Sequence, residues 1–280
     1  MSINKIGQLD VLGANLYYEV RGSGPILLMI HGGNGDANVF YAVVDKLAEH
    51  FMVATYDRRG HSRSKIGNSN EEYRVETHSD DAHRLLSVLT TEPAYVFGSS
   101  AGAVIGLDLV IRHPEQVRIL IPHEPPLPQL LPEAKRDQAL RIMKDLEEDY
   151  LSMGAEQALG KFTSTLGMGN FSDHGHQVSL EQREKMVRNI NYFITNEAAG
   201  IRRYTLDIDT LKIALNVPST RVIPAGGQAS KAYFPYQCAD ALANCLGEEI
   251  VDFPGNHAGY VFPQNGFAEQ LCSILEIPKP

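Results

Sequence analysis

Over residues 1–122, short apolar runs alternate with stretches whose apolar positions recur with a helical period. The predicted strands are Ile6–Val11, Asn15–Val20, Ile26–Ile30, Phe51–Tyr56, a run that begins at Ala94, and Arg118–Pro122. The predicted helices are Asn38–Glu49, Thr77–Leu89 and Ala101–Arg112. Ile26–Ile30 is apolar throughout, which is typical of a strand covered on both faces. The pattern predicts an α/β fold in which helices flank a mostly parallel sheet.

The alternation of strands and helices is interrupted at His123–Pro128, and from about Leu131 to Tyr204 only helical periodicity continues. The helices predicted in this stretch are Ala139–Leu151, Gln157–Leu166 and Arg183–Asn196, with a polar loop at Gly167–Ser179. Alternation then resumes with the strand Thr220–Pro224, the helix Tyr236–Leu246, the strand Ile250–Phe253 and the helix Phe267–Leu275. Such an insertion exceeds an ordinary crossover. We therefore predict a core domain of residues 1–130 and 205–280 with a helical cap of residues 131–204.

Charge and composition narrow the possible partners. The 280 residues carry a formal net charge of −9 without a block of like charge, which argues against nucleic acid and anionic membranes as partners. The N-terminal residues lack a signal-peptide core, and no apolar run approaches membrane-spanning length. The three cysteines, Cys238, Cys245 and Cys272, have no metal-ligand spacing and are interpreted as reduced thiols. We expect a cytoplasmic protein.

A candidate nucleophile lies where a strand gives way to a helix. The segment from Gly98 to Gly102 has the pattern G-x-S-x-G with Ser100 at its centre. An apolar, β-prone run precedes it and a run of small residues with helical period follows it. At such an elbow the serine hydroxyl is exposed, and strand and helix approach so closely that the flanking residues must be small.

A serine hydroxyl needs a general base, and His257 is the best candidate. It follows the last predicted strand, and its neighbours from Gly255 to Gly259 are small enough to let the ring reach Ser100. His31 and His61 are the other candidates for the base. Each follows a strand and is adjacent to a glycine, so each is predicted to brace a loop. His174 and His176 lie in the polar loop of the insertion, where a solvated role is favoured and a metal role is weakly indicated.

The acid that orients the base is predicted to be Glu124. It directly follows the strand after the elbow helix, so a neighbouring strand end brings it near Ser100. Pro125 and Pro126 stiffen the chain after it. The alternative is that Glu124 is an exposed loop residue. The loop after Thr220–Pro224 has no acidic residue before Asp240, which belongs to the next helix.

Backbone donors for an oxyanion are predicted at two places. The N–H of Ala101 begins the elbow helix and gains from the positive end of the helix dipole. The second donor is predicted to be the N–H of Gly33, in the glycine loop that follows the third strand. A plain tight turn is the other interpretation of that loop. No metal or cofactor is predicted.

These motifs together resemble the α/β-hydrolase superfamily, and the resemblance covers essentially the whole chain. The matching segments are His31-Gly32-Gly33, Asp57-Arg58-Arg59-Gly60-His61-Ser62, Gly98–Gly102 and Pro254-Gly255-Asn256-His257. The resemblance implies a mostly parallel eight-stranded sheet with a helical cap inserted after the sixth strand. Ser230 stands where most members carry the acid. Some members carry it after strand six instead, including certain haloalkane dehalogenases and the zearalenone lactone hydrolases, whose acid segment is similar to that around Glu124.

The resemblance also narrows the chemistry. Dehalogenases and epoxide hydrolases of this fold use aspartate at the elbow, so Ser100 argues against both. Serine implies acyl transfer, with a small-molecule ester or lactone as the expected partner and an acyl-enzyme at Ser100. The alternatives are a C–C bond hydrolase, a hydroxynitrile lyase or a cofactor-free perhydrolase on the same residues, and a receptor that has kept the fold.

The predicted cap suggests a medium-sized, largely apolar substrate. Its apolar residues at helical spacing are Met143, Met153, Met168, Met186, Tyr150, Phe162, Phe171, Tyr192 and Phe193. Helical spacing by itself predicts that most of them pack the cap rather than line a pocket.

Overall fold

A single sheet organises the protein. The computed structural model describes residues 3–67, 72–168, 179–218, 220–261 and 266–275. The strands are β1 Lys5–Val11, β2 Ala14–Arg21, β3 Ile26–Ile30, β4 Met52–Tyr56, β5 Lys65–Ile66, β6 Ala94–Ser99, β7 Val117–His123, β8 Arg221–Val222, β9 Ala225–Gly227 and β10 Val251–Phe253. Eight of them follow the order β1-β2-β4-β3-β6-β7-β9-β10, while β5 pairs with β2 and β8 with β7. The first two junctions are antiparallel and those from β4 to β10 are parallel, as the alternating pattern predicted.

Helices cover both faces of the sheet. They are α1 Tyr41–Leu47, α2 Val75–Leu89, α3 Ala101–Arg112, α4 Glu133–Met153, α5 Ala155–Ser164, α6 Leu180–Tyr192, α7 Ala198–Arg203, α8 Ile208–Ala214, α9 Phe234–Leu246 and α10 Phe267–Ile274. Successive side chains of β3 point to opposite faces, so Leu28 and Ile30 join the cluster under α2, α3 and α9. Leu27 and Met29 join the cluster under α1 and α10. Burial on both sides explains why β3 is apolar throughout.

The helices α4 to α7 lie in the chain between β7 and β8. Their apolar residues, such as Met143 and Leu146 of α4, belong to the same buried cluster as one face of the sheet. A π-helical segment, Phe193–Glu197, joins α6 to α7. All these helices therefore follow the carboxyl end of β7 in the chain.

Several details differ from the sequence-based expectations. The sheet has ten strands rather than eight, because Lys65–Ile66 and Ala225–Gly227 are also strands, and the inserted helices therefore follow the seventh strand rather than the sixth. Ala225–Gly227, predicted as a loop, is the strand β9, which pairs in parallel with β10. The helix α8 was not predicted, and the predicted helix Arg183–Asn196 is divided into α6 and the π segment. Most of the predicted polar loop, including His174, His176 and Phe171, lies outside the described residues. Within the described part of the chain, no helix combines the length and the apolar character needed to cross a membrane.

Candidate active site

Ser100 lies at a strained turn between β6 and α3. Its backbone φ of 54° and ψ of −119° are sparsely populated for a residue with a side chain. Small neighbours make this turn possible, because a Cβ at Gly98 would overlap the carbonyl oxygen of Gly102 and one at Gly102 would overlap that of Ile30. The serine N–H donates to the carbonyl of His123 at the end of β7, at 2.9 Å. The elbow therefore has the geometry that its sequence pattern predicts.

Glu124 follows β7 directly and is also held in the left-handed region, with φ of 50°. Its backbone N–H donates to the carbonyl of Ala225 at 2.9 Å, and its Oε1 accepts from the N–H of Gly227 at 2.7 Å. Its Oε2 lies 2.6 Å from Nδ1 of His257, and the two side chains are 0% and 6% exposed. The alternative interpretation of Glu124 as an exposed loop residue is therefore wrong, since the carboxylate is buried and contacts the predicted base.

The electrostatics of this pair keep the carboxylate charged. Burial would raise the pKa of Glu124, but the contact with His257, together with His123 and the Gly227 N–H, holds that pKa below its usual range. A carboxylate only accepts hydrogen bonds, so Nδ1 of His257 carries the proton and donates it to Oε2. In a neutral imidazole this leaves Nε2 with a free lone pair, which is the state a general base requires.

The structure brings Ser100, Glu124 and His257 to neighbouring loops at one edge of the sheet. Ser100 is linked to the residue before Glu124 through the backbone, and Glu124 is linked to His257 through its side chain. Within the described residues, no hydrogen bond joins the Ser100 hydroxyl directly to His257. In sites without substrate this bond is often long and forms on binding.

Ala101 and the glycine loop, which carry the two predicted oxyanion donors, lie beside Ser100. Ala101 is buried at the first position of α3 and lines the same cavity as Ser100. In the glycine loop, a Cβ at Gly32 would lie 3.2 Å from that of Ser100, so this backbone passes directly beside the serine. A side chain at Gly33 would overlap the ring of Phe193, which explains why glycine is needed there.

Ser100 opens onto a cavity whose empty space, including the solvent at its mouth, is about 410 Å³. Its other lining residues are apolar: Ala101, Pro126, Met143, Leu146, Phe162, Leu166, Phe193, Ala198, Ile201, Phe234 and Pro235. Of the apolar residues singled out in the predicted cap, Met143, Phe162 and Phe193 line this cavity, whereas Met153 and Met186 are exposed. The lining is therefore suited to an apolar ligand.

A buried ionic cluster beside the glycine loop was not anticipated from the sequence. Arg58, two residues after the end of β4, pairs with Glu197 of the π segment at 2.8 Å and 2.9 Å, and both side chains are fully buried. His61 lies 2.6 Å from the carbonyl oxygen of Gly33 through Nε2, and His31 lies 2.8 Å from that of Gly32 through Nδ1. Both histidines thus brace the loop, as predicted, while Arg58 and Glu197 had been given no role.

The rival positions for an acid are less suitable. Ser230, which stands where most members of the resembled superfamily carry the acid, is fully buried, and its hydroxyl makes no hydrogen bond within the described residues. Asp240 is exposed on α9. In the ranges that the structure describes, no group of three or more His, Cys, Asp or Glu residues could hold a metal ion. The three cysteines are free thiols.

Comparison with known proteins identifies the family. Residues 25–260 match the family model described as alpha/beta hydrolase fold. The chain belongs to the α/β-hydrolase family. It is 51% identical over 279 residues to the protein named "Uncharacterized hydrolase YraK" of Bacillus subtilis, covering 100% of this chain and 98% of that one.

Two further comparisons place this α/β-hydrolase among its relatives. A "putative carbamate hydrolase RutD" of Serratia proteamaculans is 32% identical over 110 residues, which cover 38% of this chain and 41% of that protein. A solved thermophilic esterase from Thermogutta terrifontis has the same fold, with a TM-score of 0.71 at 19% identity and coverage of 98% of both chains. The α/β-hydrolase fold predicted from the motifs is confirmed, whereas the closer resemblance to zearalenone lactone hydrolases remains a prediction.

His123 gives the protein a predicted pH dependence of stability. It is fully buried among Phe97, Phe253 and Phe267, and its ring nitrogens make no hydrogen bond to the described residues. Burial lowers the pKa of His123 to about 4, although the carboxylate of Glu124 acts in the opposite direction. The unfolded chain, with a histidine pKa near 6.5, therefore binds more protons than the folded one as the pH falls from 6.5 to 4.

Between pH 6.5 and pH 4, we expect the free energy of unfolding to fall by about 3 kcal/mol less in His123→Phe than in the wild type. Phenylalanine suits the aromatic surroundings and carries no group that protonates. Urea unfolding of the wild type and the variant at a series of pH values measures this difference. Parallel pH profiles for the two proteins would show that His123 does not contribute to the acid sensitivity.

Proposed function

We propose that this protein is a serine hydrolase that cleaves carboxylic esters or lactones of small to medium-sized, uncharged acyl groups. The observation that supports this most directly is the opening of Ser100 onto an apolar cavity, at the same sheet edge as the two loops that carry the buried Glu124–His257 pair. We also propose that residues 131–204 act as a cap over a core of residues 1–130 and 205–280, because α4, α5 and α7 and the π segment supply much of the cavity wall.

The proposed reaction has two steps. The Ser100 oxygen attacks the substrate carbonyl, its proton passes to Nε2 of His257, and the N–H groups of Gly33 and Ala101 hold the oxyanion. The bond to the leaving oxygen then breaks, and that oxygen takes the proton from His257. In the second step His257 takes a proton from water, and the resulting hydroxide attacks the acyl carbon. The bond to the Ser100 oxygen then breaks, that oxygen takes the proton back from His257, and the free acid leaves. Glu124 keeps the proton of His257 on Nδ1 and stabilises the imidazolium.

The cavity lining predicts which acyl groups are accepted. Apart from Ser100 its residues are apolar, so an acyl group that carries a charge loses its hydration without gaining a partner. We expect nitrophenyl pentanoate to be hydrolysed with a kcat/KM at least about 100-fold higher than nitrophenyl hemisuccinate, a similar-sized ester with a free carboxylate. The measurement is the release of nitrophenol across a panel of neutral and charged esters, together with lactone opening followed by pH-stat titration.

The same panel tests the other reactions. Peracid formation from acetate and peroxide at a rate above ester turnover would favour a perhydrolase. Cleavage of a vinylogous diketone without ester turnover would favour a C–C bond hydrolase. Saturable binding of neutral ligands with no turnover of any ester or lactone would favour a receptor and contradict the proposal.

A further inference from the structure

The π segment between α6 and α7 places two side chains at the glycine loop. Phe193 packs on Gly33 and lines the cavity, and Glu197, four residues later, is fully buried against Arg58. An irregular turn of this kind inside a helix occurs frequently at functional sites. The segment thus connects the inserted helices both to the wall of the cavity and to the loop beside Ser100.

Arg58 joins this insertion to the loop backbone. One guanidinium nitrogen donates to Oε1 of Glu197 at 2.8 Å. The other donates to Oε2 of Glu197 at 2.9 Å and also to the carbonyls of Gly32 at 2.9 Å and Gly33 at 3.2 Å. A rigid, planar fork that reaches a carboxylate and two backbone carbonyls fixes their relative positions in a way that a lysine cannot.

The two histidines complete the set of donors on the loop. The backbone N–H of Arg58 donates to Nε2 of His31, so that ring carries its proton on Nδ1 and donates it to the Gly32 carbonyl. His61 donates from Nε2 to the Gly33 carbonyl. Burial lowers the pKa of both rings, which keeps them neutral at physiological pH. Each of the two glycine carbonyls therefore has two donors directed at it.

The orientation of the Gly32 carbonyl determines that of the Gly33 N–H. The two groups belong to one planar, trans peptide, so they point in opposite directions. Holding the carbonyl towards Arg58 and His31 therefore holds the N–H away from them. This N–H is the second oxyanion donor in the proposed reaction, and it lies in the loop that passes beside Ser100.

We infer that Glu197 and Arg58 are positioning residues that hold the Gly33 N–H in the geometry needed to stabilise the oxyanion. The inference rests on the proposed serine-hydrolase function and adds the coupling of the inserted helices to the catalytic step. A purely structural role, in which the Arg58–Glu197 pair only attaches the inserted helices to the core, would not require Arg58 to contact the glycine carbonyls. Other contacts already join α6 to the core. Lys185 pairs with Asp36 at 2.9 Å, and Asn189 contacts Ser62 through two hydrogen bonds.

Glu197→Gln tests this inference with little change of shape. The amide can accept from one Arg58 nitrogen, but its NH₂ group then faces the other donor, so the guanidinium loses one of its contacts and the charge that holds it. We expect kcat for the best ester of the panel to fall about 10–100-fold, with KM changed less than about 3-fold. We expect the affinity for an alkyl boronic acid, which forms a tetrahedral adduct on Ser100, to fall by a similar factor. Binding of the corresponding alcohol product should not change.

Two control variants separate positioning from general loss of structure. Asp81→Asn weakens another buried bidentate pair, that of Asp81 with Arg59, which does not contact the glycine carbonyls. Lys185→Met removes another ion pair between the inserted helices and the core. Both variants are expected to lose some thermal stability and to keep kcat within about 2-fold of the wild type. Glu197→Asp, which keeps the charge on a shorter side chain, is expected to retain more activity than Glu197→Gln and serves if the latter does not fold.

The outcomes distinguish this inference from the proposed function itself. Wild-type kcat and boronic acid affinity in a folded Glu197→Gln variant would overturn the positioning role. An equal loss of kcat in Asp81→Asn and Lys185→Met would overturn it as well, because the effect would then follow stability. Full activity of a Ser100→Ala variant would instead overturn the proposed function, whatever the result at Glu197.

Discussion

Ser100→Ala is expected to lower kcat for ester hydrolysis by about 10⁵–10⁶-fold. The change removes the hydroxyl that forms the acyl-enzyme and leaves the cavity wall and the Glu124–His257 pair in place. The backbone at position 100 keeps its φ of 54°, which alanine tolerates about as poorly as serine, so stability should change little. The measurement is pre-steady-state and steady-state release of nitrophenol, with a burst in the wild type and none in the variant.

The neighbouring serine provides a matched control for this variant. Ser99 is fully buried at the end of β6 and lies outside the cavity lining, so Ser99→Ala makes the same chemical change one residue away. We expect Ser99→Ala to retain activity within about 10-fold of the wild type. Labelling with a fluorophosphonate followed by peptide mass analysis should place the adduct on Ser100. More than about 1% residual activity in Ser100→Ala would exclude the acyl-enzyme at this residue.

Local signals explain why the sequence predicted much of the site. The elbow could be predicted because its glycines are required by contacts between residues close in the chain. A Cβ at Gly98, for example, would overlap the carbonyl of Gly102. Glu124 and His257 were found because each follows a strand of a parallel sheet, and strand ends of such a sheet meet at one edge. Their mutual contact, across 133 residues of sequence, follows from the sheet order rather than from any local pattern.

The features that the sequence did not predict depend on contacts made elsewhere in the fold. Ala225–Gly227 has the composition of a loop, yet its glycines allow close approach by Tyr236 and by the backbone of Asn256 while the segment pairs with β10. The helix α8 has seven residues, too few for a clear period. In the sequence, Glu197 is indistinguishable from a solvated helix residue. Its partner Arg58 lies 139 positions away, so no local pattern indicates their contact.

Glu124→Gln is expected to lower kcat by about 10³–10⁴-fold while the protein remains folded. The Gly227 N–H, which donates to Oε1 in the wild type, requires an acceptor, so it retains the amide oxygen of the glutamine. The NH₂ group then faces Nδ1 of His257, which must accept and lose its own proton. That proton moves to Nε2, and the ring can no longer take a proton from Ser100.

Comparison with a second carboxylate makes this experiment decisive. Asp240→Asn changes the other acid that the sequence offers, and because Asp240 is exposed on α9 we expect wild-type activity. The readouts are kcat on the best ester, the fluorophosphonate labelling rate of Ser100, and the His257 ring resonances by NMR, which report the tautomer. A Glu124→Gln variant that keeps its activity and the Nδ1–H tautomer would remove Glu124 from the mechanism. The opposite pattern, with activity lost only in Asp240→Asn, would assign the acid to α9 and require that helix to move towards His257 during the reaction.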